Sequence, residues 1–143
     1  MKKLTTGLMI ATAALVVAAG AASAQTMTAS IPFEFRAGKR VMAPGTYGVQ
    51  NLSTLAGTPI FRLLNVNSGE LATLLPQAKD DPQKAWKAEG KPKLAFACTS
   101  GSCALAELWD GSGSYAYTFH RPKLGKDETA VLREIPLQPA KGE

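Results

Sequence analysis

Residues 94–109 read LAFACTSGSCALAELW, which is two apolar runs around a four-residue polar loop, with a cysteine closing each run. Alternating apolar side chains bounded by Thr, Ser and Gly are typical of a β-hairpin, because strand side chains point to opposite faces in turn. With 99–102 as the loop, Cys98 and Cys103 come directly opposite each other. Opposed residues of an antiparallel pair lie close enough for a disulfide. The stretch therefore predicts a hairpin with a Cys98–Cys103 bridge at its tip.

Two other interpretations of the cysteine pair are weaker. A metal site needs about four ligands, and His120 is the single histidine of the chain. A catalytic dithiol usually has two intervening residues, whereas four residues separate Cys98 from Cys103. We therefore predict no metal site, and we favour a structural disulfide over a redox pair.

Glu107 interrupts the apolar pattern of the hairpin. Regular alternation places it on the same face as Leu105 and Trp109. Either a β-bulge turns Glu107 outward, or its carboxylate is partly buried and paired with an Arg or Lys, because an unpaired buried charge is too costly.

Residues 1–24 have the pattern of a secretory signal peptide. Two lysines precede an almost uninterrupted apolar run over 8–19, and Ala-Ser-Ala at 22–24 fits a small-x-small cleavage site. The apolar run is short for a bilayer span of about 20 residues, so we expect no membrane span after cleavage. The twin-lysine start and the alanine-rich run are typical of bacterial leaders. The sequence thus predicts export to the periplasm or the outside, with Gln25 as the mature start.

The mature chain, 25–143, is of a size that forms one domain. Loss of the two leader lysines lowers Lys+Arg from 16 to 14 against 11 acidic residues, a net charge of +3. A nucleic-acid partner normally requires a clustered basic face. We therefore expect none.

Period-two alternation recurs between turn residues along the mature chain. Besides the hairpin, the predicted strands cover 25–35, 46–52, 60–66, 71–75, 115–119 and 131–135. A short amphipathic helix over 127–134 is the alternative for the last one. Seven or eight short strands with no long helix predict an all-β domain, either an antiparallel β-sandwich or a small open β-barrel.

Two segments depart from this pattern. Residues 77–93 hold five lysines and two prolines, which predicts a solvated loop, with a short helical turn around 83–88. A functional basic patch anchored by Trp86 is the alternative. Residues 138–143 are predicted to be a loose tail.

Tyr115, Tyr117 and Phe119 alternate with smaller residues. Such a stripe is typical of the core face of a strand, although it also suits a stacking platform for sugars or bases. We therefore take Trp86, Trp109, Tyr115 and Tyr117 as a candidate ligand or interaction surface.

Catalytic motifs are missing from the sequence. The chain has no nucleophile elbow, no P-loop and no zinc-protease motif. Gly111-x-Gly113-x-x-Ala116 lacks the βαβ context of a dinucleotide site, and no spacing builds a triad around His120. The sequence therefore predicts a protein that is not an enzyme and holds no cofactor.

The first part of the mature chain resembles a group of small exported β-rich proteins that are abundant in some soil bacteria. These proteins open with an Ile-Pro-Phe-x-Phe strand and a Pro-Ala-Gly-Thr-Tyr turn, similar to residues 31–35 and 43–47 here. Their later hairpin is similar to 94–109, so the resemblance covers most of 26–121. It implies a β-rich fold and export. Alanine and proline are exchanged at Ala43-Pro44, and the two cysteines are particular to this chain.

Taken together, these features favour an exported, non-enzymatic structural or interaction protein with an unknown protein or cell-envelope partner. It would act through a sheet edge or a loop. The alternative is a periplasmic carrier of a small apolar or glycan ligand. A pocket enclosed by Trp109, Tyr115 and Tyr117 would favour the carrier, and a filled core would favour the interaction protein.

Overall fold

The computed structural model describes residues 26–52, 59–111 and 115–139. The predicted signal peptide, 1–24, lies outside the described residues. The described chain forms two sheets rather than a closed barrel. The all-β prediction is therefore confirmed, and of its two forms the β-sandwich is the observed one.

Twelve short strands and one helix make up the described part of the fold. They are β1 Thr26–Ile31, β2 Phe35–Ala37, β3 Arg40–Met42, β4 Gly45–Asn51, β5 Phe61–Asn65, β6 Leu71–Leu74, β7 Ala78–Asp80, α1 Lys84–Glu89, β8 Lys93–Cys98, β9 Cys103–Trp109, β10 Ala116–Thr118, β11 Val131–Pro136 and β12 Gln138–Pro139. The count exceeds the seven or eight predicted because several strands have only two or three residues.

The strands divide between the two sheets in a simple order. Sheet A runs β12-β1-β4-β5-β6, and sheet B runs β11-β8-β9-β10-β7. The β2–β3 hairpin joins sheet B through a parallel pair between Arg36 and Ala104, which is the one departure from antiparallel pairing among the described strands. The chain crosses from sheet B to sheet A at Leu137, between β11 and β12.

The space between the sheets is filled by their inward side chains. Alternation along each strand places apolar residues of both sheets in one buried cluster. Phe35 contacts residues of both sheets, with its ring 5.2 Å from that of Phe96 in sheet B and 5.3 Å from that of Tyr47 in sheet A, both edge to face. Aromatic pairs prefer this geometry. The described core is thus packed with side chains.

Two segment predictions need correction. Residues 77–93 are mostly exposed, as predicted, and the helical turn is present as α1. The segment is nevertheless not a simple solvated loop, because it also contains β7 and buries Trp86 completely. The prediction of a loose tail from 138 is wrong for β12, which pairs with β1 at Met27 and Thr28. Residues 140–143 lie outside the described residues.

Candidate functional site

Alanine residues form much of the outer face of sheet B, and we call them the alanine floor. Inward positions of β8 and β9 carry large residues and cysteine, whereas outward positions carry Ala95, Ala97, Ala104 and Ala106. Ala97 and Ala104 lie directly opposite each other across the two strands. All four are buried, so other parts of the chain lie over this face.

A β-bulge decides which side chains reach the outer face. The register between β8 and β9 shifts just after Ala95, so that β9 carries one extra residue there. Leu105 and Leu108 consequently both join the core between the sheets, while Glu107 and Trp109 lie on the outer face. Of the two alternatives that the sequence left open for Glu107, the β-bulge is the one observed, with Ala106 as the extra residue.

Helix α1 covers one half of the alanine floor. Trp86 is fully buried and packs with Ala95, Trp109 and Ala116 in a cluster separate from the main core. Its indole N–H donates a hydrogen bond to Oε2 of Glu134, 3.0 Å away. This half of the face is therefore filled by an aromatic ring from the chain itself.

Residues 120–130, which we call the strap, cross the other half of the floor. The strap joins β10 to β11, which lie on opposite sides of the β8–β9 pair. It has no helix or strand, and all of its residues except Ala130 are exposed. Between the strap and the floor at Ala97, Ala104 and Ala106 lies a groove of about 840 Å³. We call it the strap groove.

The walls of the strap groove are partly apolar. Leu124 from the strap and Leu132 from β11 both line it, and they remain 49% and 46% exposed. Sequence reasoning missed this groove. Its signal was the alternation of alanine with large residues in both strands of the hairpin, because small outward residues leave room above a sheet.

The strap groove carries charges of both signs. Three carboxylates line it, those of Asp80, Glu107 and Glu128, together with the cations Arg121 and Lys123. Nε2 of Gln83 donates to Oε1 of Glu107 at 3.3 Å, and the backbone N–H of Gly125 donates to Oε1 of Glu128 at 2.7 Å. The ion pair between Lys93 and Glu89 lies away from the groove lining.

The disulfide lies on the other side of sheet B. Cys98 and Cys103 are bonded, with an S–S distance of 2.12 Å, so the predicted pairing is confirmed. Both residues are buried and belong to the core between the sheets. They face away from the strap groove, as expected for a structural clip rather than an exposed dithiol. His120 lines the groove from an exposed position at the start of the strap.

The four aromatic residues predicted to form one surface do not come together on it. Trp86 and Trp109 are buried under α1, so their assignment to a surface is wrong. Tyr117 packs against the core, with its ring 5.1 Å from that of Phe61. Tyr115 is 50% exposed, and Nζ of Lys79 lies 5.5 Å from its ring centroid. The strap groove is lined by none of the four.

The outer face of sheet A is a second candidate surface. One row of side chains across it is polar: Nη2 of Arg62 donates to Oε1 of Gln50 at 2.8 Å, and Nε2 of Gln50 donates to Oγ1 of Thr26 at 3.1 Å. Beside this row lies an exposed group of large apolar side chains, which we call the apolar patch. It consists of Leu64, Val66 and Leu71.

The apolar patch follows from strand register. Leu64 and Leu71 lie directly opposite each other on β5 and β6, and Leu64 also opposes Gly48 of β4. Val66 begins the turn that follows β5, and its backbone N–H donates to the carbonyl oxygen of Thr46 on β4 at 3.0 Å. Gly48 has no side chain, and a Cβ built there would lie 3.7 Å from Cγ2 of Thr26.

Neither a metal site nor a membrane helix is found in the described residues. Their His, Cys, Asp and Glu side chains form no group of three or more that would hold a metal ion. In the same residues, no helix is long and apolar enough to span a bilayer. Comparisons of the chain with models of known families, with curated proteins and with solved structures gave no match. The resemblance to small exported bacterial proteins stays a prediction.

Proposed function

We propose that this protein is an exported, non-enzymatic β-domain that works by binding a protein or cell-envelope partner. The apolar patch carries the proposal. Leu64, Val66 and Leu71 expose large apolar side chains beside the polar row of Thr26, Gln50 and Arg62. Clustered exposed apolar residues with a polar rim are typical of interaction sites, whereas single ones are ordinary. The filled core between the sheets also favours this role over an interior carrier.

Export is supported by the leader pattern at 1–24 and by the disulfide. Disulfides persist in oxidising compartments outside the cytoplasm. Membership of the group of small exported bacterial proteins is part of this proposal. The mass of the mature protein tests it: cleavage at Gln25 with an intact bridge gives residues 25–143 less two hydrogens, and an uncleaved chain would contradict export.

The non-enzymatic assignment rests on the chemistry of the nucleophilic and basic side chains. Both cysteine side chains are bonded in the disulfide between Cys98 and Cys103, so neither is a free thiol. His120 stands on the exposed strap, and no hydrogen bond among the described residues joins it to a nucleophilic side chain.

Site-specific photo-crosslinking in the native host tests the interaction. A benzophenone side chain replacing Leu71 should give one covalent adduct with a defined partner. The same probe replacing Lys87, on the exposed side of α1, is the control and should give none. Leu64→Ser in the Leu71 probe background should reduce the adduct. Equal adducts at positions 71 and 87, or none at 71, would overturn the proposal.

The second candidate function is a carrier of a small ligand, and the strap groove is what favours it. Its volume of about 840 Å³ falls in the range of small-molecule sites, roughly 300–1,000 Å³. A glycan is less suited than an apolar ligand, because Trp86 and Trp109 are buried and one face of Tyr115 lies against Lys79.

A further inference from the structure

We infer that the strap groove binds a small planar aromatic molecule that carries an N–H donor and is neutral or cationic. This inference rests on the second candidate function, the carrier. It follows from the way in which the protein fills the other half of the same sheet face.

The half of the outer face of sheet B that lies under α1 shows how this face accommodates an aromatic ring. There an indole ring, Trp86, packs in one buried cluster with Ala95, Trp109 and Ala116 and donates its N–H to the carboxylate of Glu134. Small floor residues permit a flat ring to approach the sheet closely. The surface that this ring removes from water supplies most of the stabilisation.

The half under the strap has the same kind of floor but no ring from the chain. Ala97 and Ala104 lie opposite each other, with Ala106 beside them. Phe119 is the aromatic residue of the lining, and it belongs to the core between the sheets. The apolar walls at Leu124 and Leu132 stay half exposed, so a bound ring would bury surface that the chain itself leaves in water.

The charges of the groove select the kind of ligand. Three carboxylates line it against two cations, and none of the five is in an ion pair within the described residues. Glu107 accepts one bond, from Gln83 at 3.3 Å. A carboxylate accepts several hydrogen bonds, so Glu107 retains acceptor capacity. An N–H on the ring of the ligand would therefore find an acceptor in Glu107, as the indole N–H of Trp86 does in Glu134. An anionic group would be repelled by the excess of carboxylates.

Amide chemical-shift titration of the mature protein tests the inference with three probes: indole, tryptamine and indole-3-acetate. Tryptamine and indole should shift the backbone amides of Ala97, Ala104 and Ala106. Indole-3-acetate should bind about tenfold more weakly than tryptamine, because it exchanges a charge-assisted hydrogen bond for repulsion. The absence of shifts at the floor with all three probes, or a preference for the acetate, would overturn the inference.

Three variants locate the binding. Ala97→Phe places a ring on the floor and should abolish the shifts, whereas Thr73→Phe adds the same ring on an exposed strand position of sheet A and should leave them unchanged. Glu107→Ala removes the acceptor of the ring N–H and should weaken the binding of indole about fivefold without adding volume, which keeps the test decisive where Ala97→Phe fails to fold. These results leave the apolar patch untouched. Failure here and failure of the photo-crosslinking experiment are therefore separate outcomes.

Discussion

The indole N–H of Trp86 donates to Oε2 of Glu134 across 3.0 Å, and this hydrogen bond joins α1 to β11 over 48 residues of sequence. β11 is an edge strand of sheet B, paired with β8 on one side. The six-residue helix is too short to be stable by itself in water. Its position therefore depends on the buried ring and on this bond.

Trp86→Ala should lower the free energy of unfolding by about 3–5 kcal/mol, since it removes a fully buried ring from the outer face of sheet B. Trp86→Phe should cost less, because a ring remains over Ala95 and Ala116. Urea denaturation of the oxidised protein measures both. Equal losses for the two variants would mean that packing of the ring contributes little.

A double-mutant cycle isolates the hydrogen bond to Glu134. Glu134→Ala should cost about 1 kcal/mol in the parent protein and close to nothing in the Trp86→Phe background, where the donor is already gone. Glu134→Gln keeps an acceptor and should be nearly neutral. An unchanged cost of Glu134→Ala in both backgrounds would contradict a direct coupling between the two side chains.

The sequence predicted the elements whose signals are local. Alternation over 94–98 and 103–109 and the polar loop between them are sufficient for the hairpin and its disulfide, whereas the bulge near Glu107 was one of two alternatives. Strands β2, β3, β7 and β12 have two or three residues each. Such strands form only because a distant partner is already in place, so no local pattern predicts them.

The burial of Trp86 could not be predicted from the sequence for a related reason. Its neighbours in sequence are lysines and other exposed residues, which made 77–93 look like a solvated loop. The groups that receive its ring are on β8, β9 and β10, and its hydrogen-bond acceptor is on β11. The strap groove likewise exists only because sheet order sends the strap across the alanine floor.

Loss of the disulfide should be a local and moderate destabilisation. The bridge closes a short loop, for which the entropic effect is about 2 kcal/mol, and Cys98→Ala with Cys103→Ala should lower the free energy of unfolding by about that amount. Hydrogen exchange should quicken first at the hairpin tip. A dithiol reductant should shift the unfolding midpoint of the parent protein and leave that of the double variant unchanged. A parent midpoint insensitive to the reductant would contradict this prediction.

Alkaline pH should destabilise the fold through Tyr47. Burial raises the pKa of this phenol, the negative charge of Glu70 raises it further, and a hydrogen bond with Asn65 partly opposes both. The folded-state pKa thus lies above the unfolded value of about 10. The associated stability is complete below that value and is lost as the pH rises through the folded-state pKa.

Tyr47→Phe is the matched variant for this alkaline effect. It loses the hydrogen bond from the Tyr47 hydroxyl to the carbonyl oxygen of Ala43, at a cost of about 1 kcal/mol at neutral pH. Denaturation midpoints recorded from neutral pH to beyond the phenol pKa should fall more steeply for the parent than for the variant. Parallel curves would mean that Tyr47 does not contribute.

Three glycines should respond to alanine in a fixed order. Gly111 has φ of 85°, and a Cβ there would lie 3.0 Å from Cδ and 3.1 Å from N of Pro92, the residue before β8. Gly69 has φ of 81° with open space around it, whereas Gly101 has neither constraint.

Gly69→Ala should cost about 1 kcal/mol from backbone strain alone, and Gly111→Ala about 2–3 kcal/mol, because the proline ring must also move. Gly101→Ala should be neutral or slightly stabilising, since it only restricts the unfolded chain. Urea denaturation of the three variants measures the order, and a cost at Gly111 no larger than at Gly69 would show that the segment after β9 moves freely away from Pro92.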